Sequence, residues 1–172
     1  MILADALYYT SSTFKPHSLI DVATLTGSIC VALGLDKYSG VFTNSDKLWE
    51  ELLEAGKMTN DPYWRMPLDD FFKKEMTKSD VADFINYGGK FGDACNAAIF
   101  LKEFVHGLSD EGTVGRNITD ADKEKEDDVI EENIIDKDAD EVNKIRFAHI
   151  DMASVMDTSE DSCCNVKGAT GI

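Results

Sequence analysis

The sequence predicts an α/β fold in which helices pack on a largely parallel sheet. Short apolar runs bounded by turn residues alternate with segments whose apolar residues recur at helical spacing. This alternation is typical of parallel sheets, because parallel strands need crossover connections. The 172 residues suffice for one domain with a real core, since a chain of this size buries roughly two-thirds of its surface.

The N-terminal third predicts a helix, a strand and a helical turn. Residues 2–12 have a helical pattern with one apolar face, formed by Ile2, Leu3, Ala6 and Leu7. Residues 18–23 are a short apolar run between Pro16 and the turn at 24–27, which predicts a buried strand. A helical turn is expected over 28–34, directly after that turn.

A second strand and a capped helix follow. Residues 40–43 predict the strand, and either Asn44 or Ser45 can cap the helix behind it. Gly56 is expected just past the end of this helix, because glycine commonly terminates helices. Its buried stripe is formed by Leu48, Trp49, Leu52 and Leu53.

The next segment predicts a short helix, a strand and a long helix. The short helix carries Phe71, Phe72 and Met76, and the strand covers residues 81–87 before Gly88 and Gly89. The long helix is expected from about 94 to 106, with Gly107 as its stop. Its apolar face comprises Ala97, Ala98, Leu101, Phe104 and Val105. Residues 147–152 predict a final strand.

Residues 108–145 interrupt this alternation with an acidic segment. Between Asp110 and Glu141 the chain has 14 acidic and 4 basic residues, a net charge of −10 of the total −16. So polar a run cannot bury enough apolar surface to offset its ordering entropy. We expect a disordered surface insertion here.

Charge and composition restrict the partners and the compartment. A net charge of −16 argues against nucleic acid and anionic membranes, because both require a basic surface. The chain has no apolar run near the roughly 20 residues that span a bilayer, and its start lacks a basic leader segment. We therefore expect a soluble, cytoplasmic protein. Its four cysteines match no disulfide framework, so reduced thiols are expected at Cys30, Cys95, Cys163 and Cys164.

The residues alone reveal no catalytic constellation. No nucleophile elbow, phosphate loop or His-Glu-x-x-His motif is present. Residues 136–147 begin like a calcium loop but lack its glycine and its final glutamate. His149 with Cys163 and Cys164 would make a poor zinc site, because adjacent cysteines do not readily bind one ion. The glycosylation pattern at Asn117 is attributed to chance.

Six stretches together resemble the leucyl aminopeptidases of peptidase family M17. They are ILADAL at 2–7, DVATLTG at 21–27, GVFTN at 40–44, WRMPL at 64–68, FLKEFV at 100–105 and HIDMASVM at 149–156. The resemblance implies a three-layer α/β/α fold with a mostly parallel or mixed sheet. It also implies that residues 1–172 are the C-terminal part of the family's catalytic domain, which they leave incomplete.

The resemblance implies a metal-dependent peptidase. In the family, two divalent ions, zinc or manganese, activate a water that attacks the peptide carbonyl and releases the N-terminal amino acid, leucine by preference. The family's metal ligands and catalytic lysine belong to upstream segments, including Asn-Thr-Asp-Ala-Glu-Gly-Arg, that this sequence does not contain. We therefore expect no catalytic and no metal-binding residues here, no ion bound to this chain alone, and no activity in isolation. The family assembles as homo-hexamers.

The resemblance also assigns part of the family's substrate pocket to residues of this chain. Thr24, Leu25 and Gly27 are expected to form a wall beside the metals, and Ala153 and Met156 to line the pocket for the first side chain. A strand-end loop with a glycine lets the backbone approach a ligand closely. The alternative is that Thr24 and Gly27 are only turn residues and Met156 only core filler.

Two other functions are open at this stage. The chain could be a non-catalytic relative that joins aminopeptidase oligomers through protein contacts, using its acidic segment for a basic partner. It could also be an acidic metal buffer, which rests on the carboxylate run alone. Departures from the family pattern at Asp93, Asn96, Ser154 and Ala169 weaken the expectation of activity.

Overall fold

The computed structural model describes residues 1–86, 89–108, 144–158 and 168–169. Its helices are α1 (Ile2–Phe14), α2 (Gly27–Leu33), α3 (Asp46–Thr59), α4 (Lys73–Met76) and α5 (Asp93–Lys102), with a 3₁₀ turn over Asp70–Phe72. Its strands are β1 (Ser18–Ala23), β2 (Ser39–Thr43), β3 (Tyr63–Arg65), β4 (Arg146–Asp151), β5 (Asp157–Thr158) and β6 (Gly168–Ala169). Within these ranges, no helix is long and apolar enough to cross a membrane.

Four strands form one mixed sheet in the order β1-β4-β2-β3. Strand β1 is parallel to β4 and β2 is parallel to β3, whereas β2 and β4 are antiparallel. Of the two expected arrangements, mostly parallel or mixed, the sheet has the mixed one. Strands β5 and β6 form a separate antiparallel pair. The parallel pairing of β1 with β4 matters most for the site, because it places their carboxyl ends at the same edge.

Helices cover both faces of the sheet, which confirms the expected α/β fold. On one face, Val41 of β2 and Ile150 of β4 pack against Leu48 of α3. On the other face, Phe147 of β4 packs with residues of α1 and α5, and Phe42 of β2 packs with residues of α2 and α5. Each of these fully buried side chains contributes roughly 1.5–3 kcal/mol of hydrophobic stabilisation.

Helix α1 forms where the sequence predicts it but buries a different face. Ala4, Leu7 and Ser11 are buried, whereas Ile2 is 85% exposed and Ala6 is exposed. The prediction missed this face because it includes a polar residue. The Ser11 hydroxyl is satisfied inside the protein, since it donates to the Leu7 carbonyl at 2.7 Å and accepts a backbone N–H from the segment after α5.

Helix α3 begins as predicted and continues past the predicted stop. The Ser45 hydroxyl caps the helix by accepting the N–H of Leu48 at 3.3 Å. Gly56 lies inside the helix, which ends at Thr59 with Asn60 in the left-handed conformation (φ 59°). Gly56 is needed for packing, because a Cβ at this position would overlap the carbonyl oxygen of Asp61. The expectation that Gly56 terminates the helix was therefore wrong.

Helix α5 ends at Lys102, four residues before the predicted end. Beyond it, Phe104 and Val105 donate to carbonyls three residues back, so the chain tightens into turns before Gly107 (φ 73°). The buried surface of α5 is also wider than the predicted apolar face. It additionally includes Ala94, Cys95, Asn96, Ile99 and Phe100. The reason is that α5 contacts α1, α2, α4 and the sheet together.

The predicted strand at 81–87 is absent over residues 81–86. Val81 is 96% exposed, and the N–H of Ile85 donates to the carbonyl of Met76 at 2.8 Å, so this segment folds back on α4 without a strand partner. Conversely, residues 63–65 pair with β2, although nothing in so short a run predicted a strand. In both cases, strand formation depended on whether a partner strand from another part of the chain was available.

The acidic insertion lies almost entirely outside the described residues. Leu108 and Ile145 at its ends form an isolated parallel bridge, and Ile145 is 1% exposed. The expectation of disorder covers residues 108–145, of which the structure does not describe 109–143. The same applies to Asn117, most of the calcium-like run at 136–147, Cys163 and Cys164.

Candidate functional site

The carboxyl ends of β1 and β4 define one edge of the sheet. Ala23, the last residue of β1, is in register with Asp151, the last residue of β4. The segments that follow, 24–27 and 152–156, therefore leave the sheet side by side. The N–H of Met152 donates to the Ala23 carbonyl at 2.9 Å and keeps the two strand ends together. Ligands commonly bind at such edges of α/β sheets.

The Asp151 carboxylate joins these two segments. It is fully buried, and it accepts the N–H of Leu25 at 3.1 Å, the N–H of Thr26 at 3.2 Å and the hydroxyl of Thr26 at 2.6 Å. The N–H of Ala153 donates to the same carboxylate at 3.2 Å. Hydrogen bonds to a charged acceptor stabilise by about 1.5–3 kcal/mol each, so these donors offset the cost of burying the charge.

A second buried polar pair lies two residues before each strand end. His149 Nδ1 is 2.7 Å from Asp21 Oδ1, and Phe42 stacks on the imidazole with a centroid separation of 5.8 Å. Asp21 Oδ2 and His149 Nε2 have no hydrogen-bond partner among the described residues. Asp21, His149 and Asp151 together make the layer beneath the 24–27 loop polar, although it is closed to solvent.

The predicted substrate residues fall into two groups. Thr24 and Leu25 lie on the exposed strand-end loop, and Gly27 begins α2 with open space around the position of a Cβ. Ala153 is buried and is linked to Leu25 because both of their N–H groups bind Asp151 Oδ1. Met156 is 44% exposed, which argues against the alternative that it is only core filler. The roles of all five in substrate binding stay predictions.

Two cavities open next to this loop. One, of about 500 Å³, is lined by Gly27, Ser28, Met66 and Asp93 among others, and the Ser28 hydroxyl donates to Asp93 at 3.2 Å within it. The other, of about 280 Å³, is lined by Leu25 together with residues of α1 and α5. Thr24, Ala153 and Met156 line neither cavity.

The described residues do not fit a two-metal centre. No group of three or more histidine, cysteine, aspartate or glutamate residues comes together among them in a way that could hold an ion. Both oxygens of Asp151 accept protein donors, and His149 Nδ1 is bound to Asp21. Among the described residues, the Asp151 carboxylate thus joins two protein segments.

Two of the four cysteines are described, and both are free thiols. Cys30 is half-buried and Cys95 is buried, in agreement with the expectation of unpaired cysteines at these two positions. Burial raises the pKa of the Cys95 thiol to about 11. Cys95 is therefore an inert core residue under ordinary conditions.

Sequence reasoning missed the roles of Asp21, His149 and Asp151. In the sequence, His149 is considered only as part of a poor zinc site, and neither aspartate is assigned a role. The available signal was the placement of polar residues at alternate positions, His149 and Asp151, within the apolar part of a strand. Buried polar residues at such positions need partners, so they indicate an internal network.

Known proteins match the chain throughout its length. The model of the cytosol aminopeptidase family, catalytic domain, matches residues 1–172. The cytosol aminopeptidase of Dictyostelium discoideum is 41% identical over 171 residues, covering 99% of this chain and 26% of that protein. The cytosol aminopeptidase of Xenopus tropicalis is 50% identical over 107 residues, covering 61% of this chain and 20% of that protein.

A solved structure matches the fold as well. A lysine-to-glutamate mutant of tomato leucine aminopeptidase superposes with a TM-score of 0.69 at 34% identity. The match covers 98% of this chain and 25% of the tomato chain. The chain thus spans about a quarter of the length of the relatives that it matches from end to end.

Proposed function

This chain belongs to the cytosol aminopeptidase family, and we propose that it serves as part of a metal-dependent leucyl aminopeptidase that hydrolyses N-terminal amino acids from peptides. The observation that carries the proposal is the Asp151 carboxylate, which holds the 24–27 loop and the 152–156 segment together at one sheet edge. These are the two segments to which the resemblance assigns substrate contacts. Their adjacency supports a shared pocket.

In this proposal, the chain contributes the pocket for the first side chain of the peptide. Thr24, Leu25 and Gly27 present a loop whose backbone a ligand can approach, because no atom lies within 4 Å of a Cβ placed at Gly27. We propose that Ala153 and the half-exposed Met156 line the opposite side of this pocket. Apolar walls with a few fixed polar groups are typical of ligand pockets.

The proposal assigns the metals to other parts of the enzyme. The family is metal-dependent, and we propose zinc or manganese as the ions. When bound, such a pair activates water and stabilises the developing oxyanion. Because the described residues offer no fitting ligand set, we propose that the 172-residue chain alone is inactive. The active unit would be a longer chain, assembled as a homo-oligomer with the hexamer as the expected form.

The names of the relatives suggest a cellular location and a substrate class. They are named cytosol aminopeptidases, so we propose a cytoplasmic location and peptide substrates. The net charge of −16 makes nucleic acid and anionic membranes poor partners.

Leucine p-nitroanilide hydrolysis tests the proposal. The 172-residue chain would be compared with a hybrid in which it replaces the matching quarter of the Dictyostelium discoideum relative, each with manganese, with zinc and with a chelator. The unaltered relative is the control. We expect activity in the hybrid, loss of that activity with the chelator, and none in the short chain.

Two results would contradict the proposal. A soluble hybrid that is inactive beside an active control would favour the non-catalytic relative, whose role is in oligomer contacts. Hydrolysis by the short chain would show that the missing-ligand argument is wrong.

A further inference from the structure

One oxygen atom connects the two sides of the proposed pocket. Asp151 Oδ1 accepts the N–H of Leu25 at 3.1 Å and the N–H of Ala153 at 3.2 Å. Leu25 belongs to the loop on one side and Ala153 to the segment on the other. Because each N–H is part of the backbone, this oxygen sets the separation of the two main chains directly.

The other oxygen fixes the orientation of the loop. Asp151 Oδ2 accepts the N–H of Thr26 at 3.2 Å and its hydroxyl at 2.6 Å. The Thr26 side chain in turn caps α2, where its oxygen accepts the N–H of Ile29. The loop is therefore tied at one end to β4 and at the other to a helix, and little freedom remains for Leu25 between them.

The hydrogen bonds of the Asp151 side chain all go to these two segments. It is fully buried, its four donors all come from the two segments, and among the described residues it makes no hydrogen bond to the Asp21–His149 pair. A charge in such a place is stable only while its donors stay in position. Displacing either segment would remove hydrogen bonds from the buried carboxylate and raise the free energy. The carboxylate therefore resists any change in the separation of the two segments.

We propose that Asp151 is a positioning residue that sets the width of the first-side-chain pocket and thereby the preference for leucine over smaller residues. This inference rests on the proposed function. An apolar pocket discriminates by roughly 10- to 200-fold per methylene only when its sides fit the side chain. A pocket about 1 Å too wide gives up much of that discrimination.

Asp151→Asn in the active hybrid tests the role with little change in shape. Asparagine replaces one carboxylate oxygen with an NH₂ group, which donates hydrogen bonds and cannot accept them. That group would face either the N–H groups of Leu25 and Ala153 or the N–H of Thr26, and the hydrogen bonds on that side would be lost. We expect the ratio of kcat/KM for leucine p-nitroanilide to that for alanine p-nitroanilide to fall by on the order of tenfold. The change should lie mainly in the KM for the leucine substrate.

Asp21→Asn is the matched control. Asp21 is also a buried strand aspartate, but within the described part of the chain its side chain bonds only to His149, and asparagine can still accept that hydrogen bond. We expect the leucine-to-alanine ratio to stay within about twofold in this variant, since a general loosening of the sheet affects both substrates alike. Thr26→Val is a second test variant that keeps Asp151 but removes the hydroxyl bond to it together with the cap of α2, and it should lower the ratio less than Asp151→Asn.

Amide hydrogen exchange in the 172-residue chain provides a readout independent of catalysis. Asp151→Asn should accelerate exchange at Leu25, Thr26 and Ala153, whereas Asp21→Asn should leave these amides unchanged. An active Asp151→Asn hybrid with an unchanged ratio overturns the role of Asp151 alone. An unmodified hybrid that hydrolyses neither substrate overturns the proposed function and the pocket role together.

Discussion

Gly56→Ala tests the close packing at the end of α3. Alanine normally favours a helix over glycine by about 1 kcal/mol, so an unobstructed replacement would stabilise the chain. Here the added Cβ would overlap the Asp61 carbonyl oxygen and lie 2.9 Å from Tyr63 Cδ2. The obstacle is backbone rather than a flexible side chain, so the helix end or residues 61–63 must move.

The expected net effect is a loss of stability. Overpacking costs typically about 1–3 kcal/mol. The displacement also strains the hydrogen bond from the Asp61 N–H to the Gly56 carbonyl, which measures 2.9 Å and contributes about 0.5–1.5 kcal/mol. After the gain of about 1 kcal/mol in helix propensity is subtracted, we expect a destabilisation of about 0.5–3.5 kcal/mol.

Urea unfolding followed by circular dichroism measures this difference. Ala55→Gly, at the exposed neighbouring position, calibrates the propensity effect and should cost about 1 kcal/mol without any clash. If Gly56→Ala were as stable as the original chain or more stable, the close approach of Asp61 to α3 would be refuted.

Two further predictions concern the cap of α3 and the buried thiol. Ser45→Ala removes the acceptor for the Leu48 N–H and should cost about 0.5–2 kcal/mol in the same unfolding assay, whereas an unchanged midpoint would contradict the capping role. Because burial raises the pKa of Cys95 to about 11, the reactive thiolate is a trace species at pH 8 and becomes dominant only above that pKa. Iodoacetamide should therefore label Cys95 on the order of a hundredfold faster in the unfolded chain, where the thiol has an ordinary pKa, and equal rates measured by mass spectrometry would show that Cys95 is not buried.

The local elements were largely predictable from local signals. The span of β1, the turn of α2 and the start of α3 at Ser45 all agree with the sequence pattern. Where prediction failed, the cause was packing between distant segments. Gly56 looks like a helix stop in the sequence, but in the structure it lies inside α3 and packs against the Asp61 carbonyl. Residues 81–86 have a strand-like composition but pair with no strand.

The sheet order and the network at its edge could not be predicted from local patterns. Strand β4 lies between β1 and β2, although the long acidic segment separates it from them in sequence. The hydrogen bond from Leu25 to Asp151 joins residues 126 positions apart. No periodicity specifies such a partner, so the resemblance could suggest which segments touch a substrate but not which residue holds them together.

A crystal structure of the hybrid with leucine bound would locate the first-side-chain pocket. We expect the leucine side chain to lie between the 24–27 loop and the 152–156 segment, in contact with Thr24, Gly27, Ala153 and Met156. A leucine side chain seated in the neighbouring cavity beside Ser28 and Met66 would contradict this expectation.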